Sequence, residues 1–238
     1  MELVSLGLLS GHLESRTPDE VLAGANVIAI GNGTPDGWEV AQFTSADLVA
    51  LGDYGPRYHL RGLLRGQQGS EVQMADLWPV GSYVVLLDGT AQQLGLAANT
   101  RGLAQHFRIG PARRGYDDPS FVHEVHAFAG RGLRPYAPVH LRAAAANGDL
   151  MIRWIRRTRI DGDSWDGLDV PLGEEREQYL LRVLDGSTVV REVVIDQTEW
   201  AYTAAEQALN GGVTDRVVEV RQISASYGAG AAARLTLG

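Results

Sequence analysis

Three short stretches carry residue types that could do chemistry. His123-Glu124-Val125-His126 is the nearest to a metal signature. A helical zinc pair needs histidines at i and i+4, whereas these stand three apart in a β-type run, where they point to opposite faces. They read as ordinary histidines of a polar strand. Asp161-Gly162-Asp163-Ser164-Trp165-Asp166-Gly167 is spaced somewhat like a calcium loop. Trp165 occupies one ligand position, however, and Pro171-Leu172 stands where the closing glutamate belongs, so the stretch reads as an acidic, turn-rich surface loop. Glu174, Glu175 and Glu177 could supply half of a glycosidase pair, which needs one carboxyl raised in pKa and held at a set distance from a second. The alternative is a solvated acidic run beside Arg176. No metal, no cofactor and no catalytic residue is expected.

Arg153, Arg156, Arg157 and Arg159 form a local basic stripe just upstream of that loop. Planar guanidinium groups could receive the carboxylates of a partner subunit or of an acidic glycan, or could pair with the acids that follow them. Trp165 and Trp38 lie in or beside turn-rich stretches and are the tryptophans expected at the surface, where an aromatic face can hold a sugar or pack on its own loop. Arg156, Arg157, Arg159 and Trp165 are therefore the candidate contacts for a partner or glycan. Gly31-Asn32-Gly33 lacks the third glycine of a dinucleotide loop, and neither a nucleophile elbow nor a phosphate loop occurs anywhere. A non-enzymatic protein is expected.

Composition narrows the partners. The 238 residues carry a formal net charge of -8, which repels phosphate backbones and anionic membrane surfaces, so no nucleic-acid partner is expected. Hydrophobic residues make up 45% and charged residues 21%, the balance of a chain that folds throughout. With no cysteine, disulfides and thiolate zinc sites are excluded and stability rests on burial. The first residues lack a basic leader and their apolar run is too short to span a bilayer, so no signal peptide and no membrane insertion are expected.

The elements that must position these groups are strands. Leu150, Ile152 and Trp154 recur at a period of two, which places all three on one face and makes Trp154 a core residue. Tyr179, Leu181 and Val183 share a face in the same way, Asp185-Gly186 turns that strand into 188–195, and strands are expected at 139–144, 199–203, 216–224 and 234–237. Seven short strands in about 100 residues, punctuated by turns, is the pattern of a sandwich. Upstream, shorter β runs are expected at 3–9, 27–30, 38–43, 58–60, 105–109 and 120–128. The nearly continuous apolar run 82–87 suggests a strand buried on both faces. Thr17-Pro18-Asp19-Glu20 signals one helical turn, and 204–209 looks locally helical but is expected as a crossover turn rather than a lasting helix. Arg134-Pro135-Tyr136-Ala137-Pro138 resists pairing and sets a boundary, giving a β-rich domain at 1–133 and a sandwich at 134–238. The fold class is all-β.

The second half resembles a fibronectin type III domain: it opens on Ala137-Pro138, has Trp154 on its second strand, and carries Tyr227-Gly228-Ala229-Gly230 before its last strand. Arg216 stands where that family has its corner tyrosine, and the loop 156–176 is longer than usual. Over nearly the whole chain a second resemblance holds. Trp38-Glu39-Val40 with Gln42-Phe43, Leu60-Arg61-Gly62-Leu63-Leu64-Arg65-Gly66, Trp78-Pro79, Arg134-Pro135-Tyr136-Ala137-Pro138-Val139, Arg157-Thr158-Arg159, and Asp163-Ser164-Trp165 followed by Pro171-Leu172-Gly173-Glu174 are similar to the C-terminal region of the host-specificity, or tail-tip, protein of gene transfer agents and related long-tailed phages. That resemblance implies a non-catalytic structural or host-attachment component of a tail tip or baseplate, assembled in the bacterial cytoplasm. Its partners would be other tail-tip proteins in a homotrimeric arrangement, and host cell-surface polysaccharide. It also implies a fragment or separately encoded module of a longer protein. A carbohydrate-binding module is the alternative, and a glycoside hydrolase a third.

Overall fold

The computed structural model describes residues 4–9, 11–52, 55–89, 91, 94–162 and 169–238. The chain is all-β and divides after Leu94 into two compact units.

The first unit contains β1 (Val4–Gly7), a short helix α1 (Pro18–Leu22), β2 (Val27–Gly31), β3 (Trp38–Gln42), β4 (Ser45–Gly52), β5 (Gly55–Arg61), β6 (Leu64–Gln67) and β7 (Tyr83–Leu86). They form two antiparallel sheets, ordered β1-β5-β4 and β6-β3-β2-β7. Alternation makes the core: Ile28, Ile30 and Ala41 face inward from one sheet and meet Tyr58 and Leu60 of the other, with Leu13 and Phe43 from the connections. The single turn of α1 is held by a capping box, with Glu20 N donating to Thr17 Oγ1 at 3.3 Å and Thr17 N to Glu20 Oε2 at 2.8 Å.

Two expectations change here. The run 82–87 does form β7, but it is not buried on both faces. As an edge strand paired, among the described residues, only with β2, it turns Val84 and Leu86 to the core and leaves Tyr83 61% and Val85 40% exposed. Strand β4 occupies a stretch between the expected runs 38–43 and 58–60 where no strand is expected. Its side chains are half-buried or exposed, so it owes its place to backbone pairing with β5, interrupted by a bulge between Leu48 and Ala50.

The second unit begins with a ribbon of β8 (Gln105–Ile109) and β9 (Val122–His126). The sandwich follows as β10 (Val139–Ala146), β11 (Asp149–Ile155), β12 (Tyr179–Asp185), β13 (Thr188–Ile195), β14 (Glu199–Tyr202), α2 (Ala204–Leu209), β15 (Arg216–Ser224), β16 (Gly228–Ala229) and β17 (Ala233–Thr236). One sheet is β10-β11-β14. The other is β13-β12-β15, with β16 and β17 both pairing along the far side of β15. This is the strand order of a fibronectin type III-like sandwich. Asn147 and Gly148, both at positive φ, make the tight turn between β10 and β11. Ile152, Trp154, Tyr179, Leu181 and Val183 lie in the core as the period-two pattern predicts, joined there by Trp200, Tyr202, Val218, Val220 and Leu237, while Leu150 packs against it only partly buried. Helix α2 keeps its six residues because Thr203 and Glu206 form a second capping box. Within this unit Pro135, part of the proline connector, accepts from Ala231 N at 3.3 Å.

Candidate functional site

The arginine stripe sits where β11 ends and the long loop leaves the sandwich. Period-two geometry sends Arg153 outward, where it meets Glu199 of β14 at 2.9 Å in an exposed pair worth little to stability. Beyond the strand the arginines turn back onto their own loop. Arg156 donates to Val170 O at 2.6 Å, meets Asp169 at 2.8 Å and reaches Glu177 at 3.3 Å. Glu177 also accepts the Tyr179 hydroxyl at 2.8 Å, and burial together with that carboxylate pushes the phenol well above its ordinary range. Arg159 binds Glu174 at 3.0 Å, a carboxylate whose side chain is 3% exposed.

Aromatic rings form the second part of this cluster. Arg157 lies over Tyr136 at 4.9 Å, while Arg159 and Arg101 both approach Tyr227, at 5.2 and 5.0 Å. Arg101 also donates to Ser226 O at 2.6 Å, and Glu175 accepts from Ala225 N at 3.1 Å and from the Ser226 hydroxyl. The turn 225–228 is thus clasped by the long loop and by the segment before β8. Tyr136 and Tyr227 are site residues that periodicity did not reveal, because nothing in their spacing marks them as platforms for arginines far away in the chain.

The three candidate contacts Arg156, Arg157 and Arg159 therefore come together, each engaged by its own unit. Trp165 and most of the acidic loop lie outside the described residues. Glu174, Glu175 and Glu177 do not converge on one another: each goes to a different partner. Hydrogen bonds from Ser226 hold the Glu175 carboxyl below its usual range, the opposite of what a general acid requires.

The first unit offers two further features. A cleft of about 480 Å³ is lined by His12, Glu14, Arg16, Asn26 and Asp88, with Glu14 bridging His12 at 3.0 Å and Arg16 at 2.8 Å on its exposed rim. On the outer face of the four-stranded sheet, Gly31 pairs with Trp38 on one side and Tyr83 on the other. Trp38 is half-buried rather than fully exposed because it lies across that glycine: a Cβ on Gly31 would stand 2.5 Å from Trp38 Cδ2. Tyr83 leans in the same manner on Gly33, 2.9 Å from the position of a Cβ there. The result is two rings laid against glycine backbone on one sheet face, about 9–10 Å apart by strand spacing.

Among the described residues no group of three or more His, Asp or Glu is placed to hold a metal ion, and no helix is long and apolar enough to cross a membrane.

Comparison with known proteins adds the following. A family model described as Rcc01698-like, C-terminal, matches residues 2–85. No curated protein matches the chain. Among solved structures it is similar to the rat CD45 extracellular region, domains d3-d4, with 11% identity over 63% of this chain and 70% of that chain and a TM-score of 0.30.

Proposed function

We propose that this protein is a non-enzymatic component of a phage-like or gene-transfer-agent tail tip, acting in attachment or in holding the tip together. The observation that carries the reading is the family match over residues 2–85, the stretch that also holds Trp38-Glu39-Val40, the glycine-bracketed Leu60 to Gly66 motif and Trp78-Pro79. An all-β build supports it, since rigid sandwich-like units present side faces and loop clusters for binding without a deep pocket. So does the engagement of the long-loop carboxylates with arginines and hydroxyls. In this reading its partners are other tail-tip or baseplate proteins, in a threefold arrangement, together with cell-surface polysaccharide. Electron microscopy of particles labelled with an antibody against this chain is expected to show signal at the distal end of the tail. Signal at the capsid, or none on particles, rejects the assignment.

A second reading, a carbohydrate-binding module, is favoured by the Trp38–Gly31–Tyr83 face. Aromatic rings packed on glycines of one sheet face offer apolar surface of the kind on which a pyranose stacks. Binding of the full chain to a glycan array is expected to weaken by about 0.5–1.5 kcal/mol in each of Trp38→Ala and Tyr83→Ala. A parent chain that binds no glycan removes this reading and leaves the first intact.

A further inference from the structure

We propose that His106 and His123 form a two-imidazole site for a divalent transition-metal ion of the zinc class, on the exposed face of the β8–β9 ribbon. In the register of the ribbon His106 stands opposite Val125 and Arg108 opposite His123, so the two histidines are diagonal neighbours on one face. His106 Nδ1 and His123 Nε2 are 3.0 Å apart, and the rings are within 10° of parallel with centroids at 5.2 Å. That combination is an in-plane hydrogen bond: one ring nitrogen donates and the other offers its lone pair.

The same two nitrogens suit a metal. Ligand nitrogens at about 2.0–2.1 Å from a tetrahedral zinc ion stand about 3.3–3.4 Å from each other, so the pair needs to open by a few tenths of an ångström and each ring to turn by about 35° for both lone pairs to meet at the ion. Both rings stay neutral in the exchange: the ring that donates moves its proton, through solvent, to its other nitrogen, and two lone pairs then face the ion. Two positions are left to water or to an external ligand. Arg108, on the same face, opposes the cation, which holds the site to modest affinity and predicts tighter binding in Arg108→Ala.

The ion would have structural work to do. Among the described residues the ribbon pairs with no third strand and exposes Ile109, Val122 and Val125, and a lone two-stranded ribbon is marginal in water. An ion joining β8 to β9 would staple it. Spacing alone hides this site. Its ligands are 17 residues apart, whereas the adjacent-looking pair His123 and His126 falls on opposite faces, His126 lying with Phe107 and Phe128.

The test is calorimetric titration of the untagged full chain with zinc ion. Saturable binding at one equivalent is expected, weakened about tenfold or more in His106→Ala and in His123→Ala and unchanged in His126→Ala. Affinity should fall on acidification, because the ligating nitrogens must be unprotonated. In the parent chain, zinc should shift the imidazole resonances of His106 and His123 together, a readout that needs no variant. Absence of saturable binding, binding that survives both substitutions, or shifts confined to other histidines overturns the proposal.

Discussion

Replacing Trp154 by alanine is expected to destabilise the sandwich by about 3–5 kcal/mol, the range for deleting a large buried aromatic. The indole is 4% exposed, meets Tyr179 edge-on at 5.1 Å with an interplanar angle of 71°, and sits in a core to which both sheets contribute. Truncation removes apolar area from that core and leaves a cavity that rigid strands on either side cannot collapse, so transfer and cavity losses add. The neighbouring Ile155 is the control. It points to the other face and is 49% exposed, so Ile155→Ala should stay within about 0.5 kcal/mol of the parent. Chemical denaturation of both variants decides the matter. A Trp154→Ala midpoint within error of the parent would take Trp154 out of the core and with it the facing of β11.

That facing was legible from sequence because the sandwich strands are buried on one side and solvated on the other, so hydrophobicity alternates and the period of two survives. Leu150, Ile152 and Trp154 announce β11, and Tyr179, Leu181 and Val183 announce β12, for this reason. Where alternation no longer reports on burial the reading weakens. Strand β4 is formed by its backbone ladder to β5 with few side chains buried, and 83–87 is apolar at every position although one of its faces is open. An apolar run says that burial is available, not that a second layer exists to supply it.

The candidate site was legible to a different degree. The arginine stripe is contiguous, and its carboxylate partners follow closely enough to name as a class. Which carboxylate pairs with which arginine, and the stacking on Tyr136 and Tyr227, depend on how the long loop returns, and no local period encodes that. Distances of this kind also concealed the pairing of His106 with His123. The same holds for Glu39, which sequence placed only in a motif and which the fold buries completely.

Removing the Arg65 guanidinium should damage the first unit about as severely as Trp154→Ala damages the second. Glu39 lies on the core face of β3, fully buried, and accepts from Arg65 Nε at 2.9 Å, Arg65 Nη2 at 2.6 Å, Trp78 Nε1 at 2.7 Å and Gly66 N at 3.1 Å. Burial works to raise the carboxyl pKa, but the donors from Arg65, Trp78 and Gly66 outweigh it and hold the group below its usual range. Because the folded-state pKa is depressed, the stabilisation is complete above the unfolded carboxylate value of about 4.3 and is lost as pH falls through the lower folded value. Arg65→Met keeps an apolar stem but strips the counter-charge, leaving a buried carboxylate with two neutral donors, at an expected loss of about 3–5 kcal/mol at neutral pH. With Arg65 gone, desolvation raises the Glu39 pKa instead, so the deficit relative to the parent should shrink as acid protonates the group in both proteins. The double variant Glu39→Leu with Arg65→Met removes both charges and should recover much of the loss, since an apolar pair can replace a buried ion pair at little net cost. Urea midpoints of the three variants at neutral and mildly acidic pH measure all of this. An Arg65→Met chain as stable as the parent at neutral pH, or a deficit that grows on acidification, would show that Glu39 is not the buried, arginine-held anion that this geometry describes.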